Sequence, residues 1–411
     1  MLIPPGVPQS HPNQVCKLHK SFYGLKQASG KWYEKLTSVL LQQNYTQASS
    51  DHSLFIKQTD ISFTIILVYV DDVILAGNSI TEFTTMKSIL HDKFKIKDLG
   101  QLKYFLGLEV SHSSKGISLC QRKYYLDLLD DSGLIGAKLV STPSDPNIKL
   151  HHDSSPPYLD IPSYRRLIGR LLYMNTTRPD ITFITQLNQF LTNPSQVHYN
   201  VGMRVLKYLK GCPGSGIFFP RDSDLHIQGF SDADWAGCKD TRKSISGRCF
   251  FIGKSLVSWR TKKQLTMSRS SSKAEYRALA SASCEMKWLL YLMKDLKIQC
   301  TKKPVIYCDN LSAIHVAANP VFHERTKHLE IDCHIVKEKV QAGVLKLLSV
   351  SSKDQVADFF TESLLPQPFN NLLSKLGMVN IYQPPTCGGL LHHEISPTNK
   401  KETTVTYNRS N

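Results

Sequence analysis

Four acidic residues in the C-terminal third stand where they could act on a phosphodiester, each on a different predicted element. Asp232 closes the first of three predicted strands, in Gly229-Phe-Ser-Asp-Ala-Asp-Trp-Ala-Gly237. Glu275 lies four residues before Leu279 and seven before Ala282, which sets a carboxylate on the apolar stripe of a long helix. Asp309 follows the strand Val305-Ile-Tyr-Cys308 at its C-terminal edge, where α/β proteins commonly place their chemistry. Asp358 sits in Gln355-Val-Ala-Asp-Phe-Phe-Thr361, whose apolar neighbours turn its carboxyl toward the sheet. Taken singly, each has an ordinary reading as a turn former, a first-turn helix acid or an N-cap. Taken together, they offer hard oxygen donors from separate elements to two divalent ions about 3.5 to 4 Å apart. Such a pair activates water on one side of a phosphodiester and stabilises the leaving oxygen on the other, so no protein nucleophile is needed. Asp234 competes with Asp232 for the first position.

A second acidic group, Asp71 and Asp72, separates the β-rich runs Phe63–Val70 and Val73–Ala76 and reads as the tip of a hairpin. Two carboxylates at one turn cannot alone cradle two metals and an incoming triphosphate; a further aspartate from an upstream strand is required. The first Asp of the chain is Asp51, so that strand is expected to be missing. His323, His328 and His334 with Cys333 match no standard zinc spacing. In a loop, His323 or His328 could instead assist product departure or contact phosphate beside Arg325 and Lys327. Trp259, Arg260, Lys262, Lys263 and Arg269 suit tracking of a nucleic-acid backbone, or form a solvated basic face.

The elements that must hold these residues follow from periodicity and punctuation. A helix is expected over Ser29–Gln43, then the hairpin, a helix over Thr81–Lys93, a strand over Tyr104–Val110 and a helix over Lys123–Ser132. Pro, Ser, Asp and His crowd residues 141 to 158, which is loop chemistry and marks a boundary. Beyond it come three amphipathic segments, Ser163–Asn175, Ile181–Thr192 and Tyr199–Lys210. Strands at His226–Phe230, Arg248–Ile252 and Leu256–Trp259 precede a long helix that Ser271 or Ser272 can cap. A strand at Val305–Cys308, a helix at Ser312–Ala318, a strand at Gly343–Val350 and a helix at Asp354–Leu364 complete an α/β order that places one sheet between helices.

Fifty Lys and Arg against 34 Asp and Glu leave a formal charge of +16, which favours a polyanionic partner, although an anionic membrane surface attracts by the same physics. Ten cysteines are scattered without any C-x-x-C pair, which fits a reducing compartment. The N-terminus has no secretory signal and the longest apolar run, Ile65–Val70, is too short to cross a bilayer. An intracellular protein, cytoplasmic or nuclear and without membrane association, is expected.

Several long stretches resemble one family, the Pol polyprotein of copia-type LTR retrotransposons. In the C-terminal third they are Phe230-Ser-Asp-Ala-Asp-Trp-Ala-Gly-Cys-Lys-Asp-Thr-Arg-Lys-Ser244, Ser268-Arg-Ser-Ser-Ser-Lys-Ala-Glu-Tyr-Arg-Ala-Leu279, Tyr307-Cys-Asp-Asn310 and Asn319-Pro-Val-Phe-His-Glu-Arg-Thr-Lys-His328. Upstream, Lys17-Leu-His-Lys-Ser-Phe-Tyr-Gly-Leu-Lys-Gln-Ala28, Tyr69-Val-Asp-Asp72, Asp98-Leu-Gly-Gln-Leu-Lys-Tyr-Phe-Leu-Gly107 and Thr177-Arg-Pro-Asp180 continue the likeness. Two departures from the family pattern are Lys273, a cation close in sequence to Glu275, and Thr361-Glu-Ser-Leu364.

The resemblance implies a truncated reverse-transcriptase palm and thumb over 1–140, a linker and helical connector over 141–222 and a ribonuclease H-like three-layer α/β domain over 223–366. A C-terminal extension over 367–382 and a disordered tail over 383–411 follow. It implies Asp232, Glu275, Asp309 and Asp358 as the catalytic and metal-binding set, Asp71 and Asp72 as a polymerase remnant, and two Mg²⁺ or Mn²⁺ ions. The implied partner is an RNA–DNA hybrid, with the absent upstream polyprotein segment as a second. Two rivals remain open: a catalytically inactive nucleic-acid-binding remnant, and a metal-dependent nuclease for DNA or structured RNA. On the missing-aspartate argument, the purified chain with Mg²⁺ does not extend a primed RNA or DNA template; a primer-extension gel checks this.

Overall fold

The computed structural model describes residues 3, 6–8, 11, 13–16, 24–152, 155–300, 302–318, 336–382 and 403–408. The chain forms two compact units, Met1–Leu102 with Pro397–Asn411, and Lys103–Ser396.

In the first unit α1 (Ala28–Gln42) precedes the short strand β1 (Thr46–Gln47), then β2 (Leu54–Gln58), β3 (Phe63–Tyr69), β4 (Asp72–Gly77), α2 (Ile80–Phe94) and β5 (Ile96–Gln101). β1 to β4 form an antiparallel meander. Alternation runs along β3, with Thr64, Ile66 and Val68 buried, Phe63, Ile65 and Leu67 half-buried and Tyr69 exposed. Ile66, Val68, Val73 and Leu75 pack with Leu36 and Leu40 of α1 and Phe83, Met86 and Leu90 of α2. Helix α2 starts where Ser79 accepts the Glu82 amide on its side chain and stops at Lys95, which turns left-handed at φ 56°. The expected disordered tail is corrected over β16 (Thr403–Asn408), which lies between β4 and β5 and is antiparallel to both. Its run Thr-Thr-Val-Thr-Tyr is rich in β-branched residues, a propensity outweighed in the sequence reading by the polar composition around it.

The second unit opens with β6 (Tyr104–Phe105), β7 (Leu108–Ser113) and β8 (Gly116–Cys120), then α3 (Arg122–Asp131). The single strand expected over Tyr104–Val110 is thus a hairpin, broken where Leu106 and Gly107 turn left-handed. Helices α4 (Ile161–Met174) and α5 (Gln196–Leu209) flank a 3-10 helix over Pro179–Phe190, where an α-helix was expected. Thr182 donates from its hydroxyl to the Pro179 carbonyl, three residues back, consistent with the tighter winding. Strand β9 (Ser215–Pro220) pairs with β8, and β15 (Met378–Asn380) of the C-terminal extension pairs with β9. This sheet ties 104–120 to the connector, and the first compact unit ends at Leu102.

The central sheet of the second unit comprises β10 (Ile227–Asp234), β11 (Ile245–Ile252), β12 (Ser255–Lys263), β13 (Val305–Cys308) and β14 (Lys346–Ser349), in the order β12-β11-β10-β13-β14. The first three strands are antiparallel, whereas β13 and β14 add in parallel. Helix α6 (Ser271–Asp295) packs on β10 and β11, and α7 (Leu311–Ala318) and α8 (residues 336–341) lie on the same side through a core of Ile227, Phe250, Leu279, Met286, Ile306 and Val336. Its N-cap is Ser270, one residue before the expected pair. The opposite face, with Cys249 and Phe251, packs on the connector and on α9 (Pro366–Leu373). Alternate residues of β11 therefore belong to two different cores, and the connector is a layer of the same body.

Within that layer Arg178 is fully buried against Asp180, Nη2 to Oδ2 at 2.5 Å, with the Tyr208 hydroxyl donating to the same carboxylate at 2.7 Å. A buried pair stripped of one partner leaves an uncompensated charge, so Asp180→Asn costs about 3–5 kcal/mol of stability. The measurement is the denaturant midpoint of the full chain followed by circular dichroism.

Candidate nuclease site

Two acids meet through strand register. β10 and β13 run parallel with Gln228 opposite Val305 and Phe230 opposite Tyr307, whose rings stack with centroids 5.0 Å apart. Carrying that register two residues further brings Asp232 level with Asp309 at the same edge of the sheet. Glu275 reaches them from the first turns of α6, where it is buried. Asp358 comes from a 3-10 turn, Val356–Phe360, laid against β10 and β11.

That last segment was expected as part of one helix, Asp354–Leu364. It is instead two 3-10 turns, Ser352–Asp354 and Val356–Phe360, separated by Gln355 in an extended conformation. Gln355 is fully buried; its Nε2 donates to the Ser231 carbonyl at 3.0 Å and to Asp309 Oδ1 at 3.4 Å. Anchoring this side chain to the sheet interrupts the helix. The segment also needs Gly247, which stands opposite Asp232 on β11. A Cβ there would lie 2.8 Å from the Phe360 and Thr361 side chains and 2.9 Å from the Ala357 carbonyl. Sequence reasoning missed Gln355, Gly247 and Thr361; the only signals were an amide and a hydroxyl flanking Asp358 and a glycine inside a strand.

The carboxylates act on one another. Burial, the Asp232 charge and a hydrogen bond from Glu275 to Asp232 push the Glu275 carboxyl up to about 10. Asp358 is pushed up to about 8 by burial and then by Asp232, Glu362 and Asp309. Asp232 is raised by burial and Asp309, against the hydrogen bonds it accepts from Thr361 and Glu275. Ser352 donates to Asp309 Oδ2 at 3.2 Å. Ligand atoms of Glu275, Asp309 and Cys308 lie within 4.8 Å of one another, and the buried Cys308 thiol is raised by burial and by Glu275.

The rival first acid, Asp234, is raised to about 6 by burial and Asp232, with Lys149 and the Gly237 amide opposing. Its carboxylate is turned to the Gly237 turn: a Cβ on Gly237 would sit 1.5 Å from Oδ2. Asp232, in contrast, is the charge that acts on Glu275, Asp358 and Glu362 alike.

The hairpin acids stand apart in kind. The turn is Val70–Asp71, not Asp71–Asp72: Tyr69 pairs with Asp72, which is the first residue of β4 and buried. Val70 takes a φ of 50°, which a β-branched residue rarely adopts. Of the expected nucleic-acid contacts, Arg260, Lys262 and Arg269 are exposed. Trp259 is half-buried against the connector core, and Lys263 bonds to Gln189 of the 3-10 helix, because alternate residues of β12 face the connector. His323, Arg325, Lys327, His328, Cys333 and His334 lie outside the described residues.

Comparison with known proteins bears out the expected family. Residues 1–146 match the reverse transcriptase (RNA-dependent DNA polymerase) family. The retrovirus-related Pol polyprotein from transposon RE1 of Arabidopsis thaliana is 43% identical over 380 residues, 92% of this chain. The chain spans about a quarter of that relative's length, 26%. The putative transposon Ty5-1 protein of Saccharomyces cerevisiae is 32% identical over 278 residues, 66% of this chain and 90% of that protein. Among solved structures, the RNase H1 of Halobacterium salinarum superposes over 36% of this chain and 98% of its own at 13% identity, with a TM-score of 0.25, too loose to carry an argument. By its sequence relatives, with a reverse transcriptase segment followed by a mixed α/β domain, this chain belongs to the Pol polyprotein family of copia-type retrotransposons.

Proposed function

We propose that residues 223–366, braced by the connector, form a ribonuclease H-type endonuclease that hydrolyses the RNA strand of an RNA–DNA hybrid. The observation that carries this reading is the convergence of Asp232, Glu275, Asp309 and Asp358, from four separate elements, at one sheet edge, where they act on one another. Such a cluster fits divalent cations: the carboxylates are hard oxygen donors, and the raised protonation of Asp232, Glu275 and Asp358 reflects burial and then repulsion by neighbouring acids, both of which a cation would offset. Asp232, Glu275, Asp309 and Asp358 would hold Mg²⁺ or Mn²⁺, which supplies activation of water and stabilisation of the leaving oxygen. Cys308 is a soft donor suited to neither ion.

The chain's own residues orient this set. Thr361 and Ser352 fix the Asp232 and Asp309 carboxylates by donating to them, and Gln355 ties Asp309 to β10. Between Lys239 and Arg277 the chain is strongly basic, with Asp240 and Glu275 its only acids, so a phosphate backbone is drawn toward the site. Exposed Arg260, Lys262 and Arg269 are placed to follow it. Hybrid preference over duplex DNA rests on shape and 2′-hydroxyls.

Labelled RNA–DNA hybrid, duplex DNA and duplex RNA, each with Mg²⁺ or chelator, test the reading. The expected result is cutting of the hybrid alone, only with Mg²⁺, and its loss in Asp309→Asn while the circular dichroism spectrum is unchanged. Equal cutting by Asp309→Asn refutes the assignment, and absence of cutting by the parent chain favours a binding remnant.

A pH dependence follows for the metal-free chain. Glu275 and Asp358 bind protons more tightly in the folded state than at their ordinary values of 4.5 and 3.8. Their contribution to stability is complete below those ordinary values and is lost as pH rises toward about 8 for Asp358 and about 10 for Glu275. Melting temperature in chelator therefore falls between acidic and mildly alkaline pH. Glu275→Gln flattens that fall, and Mg²⁺ raises the melting temperature of the parent chain at alkaline pH but not of the variant, as read by differential scanning fluorimetry.

A further inference from the structure

Cys308 lies among the acids of the second unit yet offers a hard ion nothing. Its Sγ is 3.9 Å from Glu275 Oε2, and one ligand atom each of Glu275, Cys308 and Asp309 fall within 4.8 Å of one another. Glu275 comes from α6, and Cys308 and Asp309 come from the end of β13. Cys308 is fully buried and Glu275 nearly so, whereas Asp309 is half-buried. A fourth polar atom shares this side of the sheet. Carrying the β10–β13 register one residue beyond Phe230–Tyr307 sets Ser231 beside Cys308. Both face α6: Ala233, two residues along β10 from Ser231, packs with Ala274 and Ala278, and Cys308 belongs to the core beneath the same helix. The Ser231 hydroxyl is fully buried and has no hydrogen-bond partner among the described residues. Such an orphan is costly and marks the place of a missing ligand or water.

The donor set discriminates among cations. Mg²⁺ and Mn²⁺ take oxygen, whereas thiolate draws Zn²⁺. Tetrahedral Zn²⁺, with sulfur at about 2.3 Å and carboxylate oxygen at about 2.0–2.2 Å, spans a sulfur-to-oxygen edge of about 3.5 Å. The Cys308–Glu275 separation of 3.9 Å is close to that edge, and a small side-chain rotation closes the rest. We infer that Cys308, Glu275 and Asp309 form a binding site for Zn²⁺, which withholds Glu275 and Asp309 from Mg²⁺ and so inhibits cutting. The site stands on this geometry; its inhibitory effect rests on the nuclease reading above. Three protein ligands leave the fourth position to water, and that water gives the Ser231 hydroxyl a partner. Binding releases the thiol proton to solvent, since a coordinating thiol is deprotonated. Cys308 therefore decides which class of ion holds the two acids.

The test uses the full chain with Cd²⁺ as a spectroscopic stand-in for Zn²⁺, because a cadmium–thiolate bond absorbs in the ultraviolet and a cadmium–carboxylate bond does not. The parent spectrum minus that of Cys308→Ser isolates this thiol from the remaining cysteines. The expected difference is a charge-transfer band that saturates at a single equivalent of Cd²⁺. Glu275→Gln keeps every thiol and loses the same band. Zn²⁺ raises the melting temperature of the parent by more than that of either variant, as read by differential scanning fluorimetry. In the hybrid-cutting assay at fixed Mg²⁺, half suppression of Cys308→Ser takes about tenfold or more Zn²⁺ than half suppression of the parent, each against its own rate without Zn²⁺. Absence of the difference band, its retention in Glu275→Gln, or equal suppression of the two chains overturns the inference. Should Cys308→Ser misfold, the comparison of Glu275→Gln with the parent decides alone. Should the parent cut nothing, the nuclease reading alone fails, and the Cd²⁺ spectra still decide the site.

Discussion

Repulsion among four carboxylates is the constraint around which the second unit is built. Two like charges about 4 Å apart repel by about 4 kcal/mol at an effective dielectric of 20, and burial of Glu275 adds a desolvation cost. Nothing in such a group favours its own assembly. The acids must be held by elements whose stability comes from elsewhere: β10 and β13 through their ladder, α6 through its apolar face, and the 3-10 segment through Gln355. Burial and the neighbouring Asp232 charge favour a protonated Glu275 that donates to Asp232.

Holding Asp358 requires more than the central sheet. Its segment lies over Gly247 of β11, and Val356, Phe359 and Phe360 are buried with residues of α4, α5 and the 3-10 helix. Those helices are organised around the buried Arg178–Asp180 pair, itself closed by Tyr208 and the Cys212 carbonyl. The connector thus acts on the site through packing: it presses the 3-10 segment onto the sheet face that carries Phe230 and Phe251, and its dimensions set how far the fourth acid projects.

How much of this was legible in the sequence depended on whether a residue's role was local. Glu275 could be read because a carboxylate four residues before Leu279 breaks an apolar stripe, and Asp309 because it ends a short apolar strand. The strands about Phe230, Phe250 and Ile306 showed in the same way. Gln355 could not be read: an amide between a charged turn and an apolar run signals nothing until its partners, Ser231 and Asp309, more than forty positions away, are brought to it. The helix expected over Asp354–Leu364 fails for the same reason, since propensity does not include a tertiary anchor. Trp259 reads as an exposed aromatic among basic residues, yet its place on β12 turns it to the connector core. The tail misleads in the opposite sense, because Thr403–Asn408 has strand propensity but its ladder partners, β4 and β5, lie near the other end of the chain.

The two acidic groups differ in what a sequence can say of them. Asp71 and Asp72 are adjacent, so a hairpin alone joins them, and the left-handed Val70 gives the turn a geometry that pairing Tyr69 with Asp72 demands. Proximity of that kind is chemically incomplete, because both carboxylates issue from one tip and a second strand must complete the site. The clustered acids of the second unit come from four elements spread from Asp232 to Asp358, and their meeting follows from topology. Parallel addition of β13 beside β10 sets the C-terminal ends of both strands at one edge; an antiparallel partner would have carried Asp309 to the far end from Asp232. Strand direction, read through the Gln228–Val305 register, is therefore what converts scattered acids into a site.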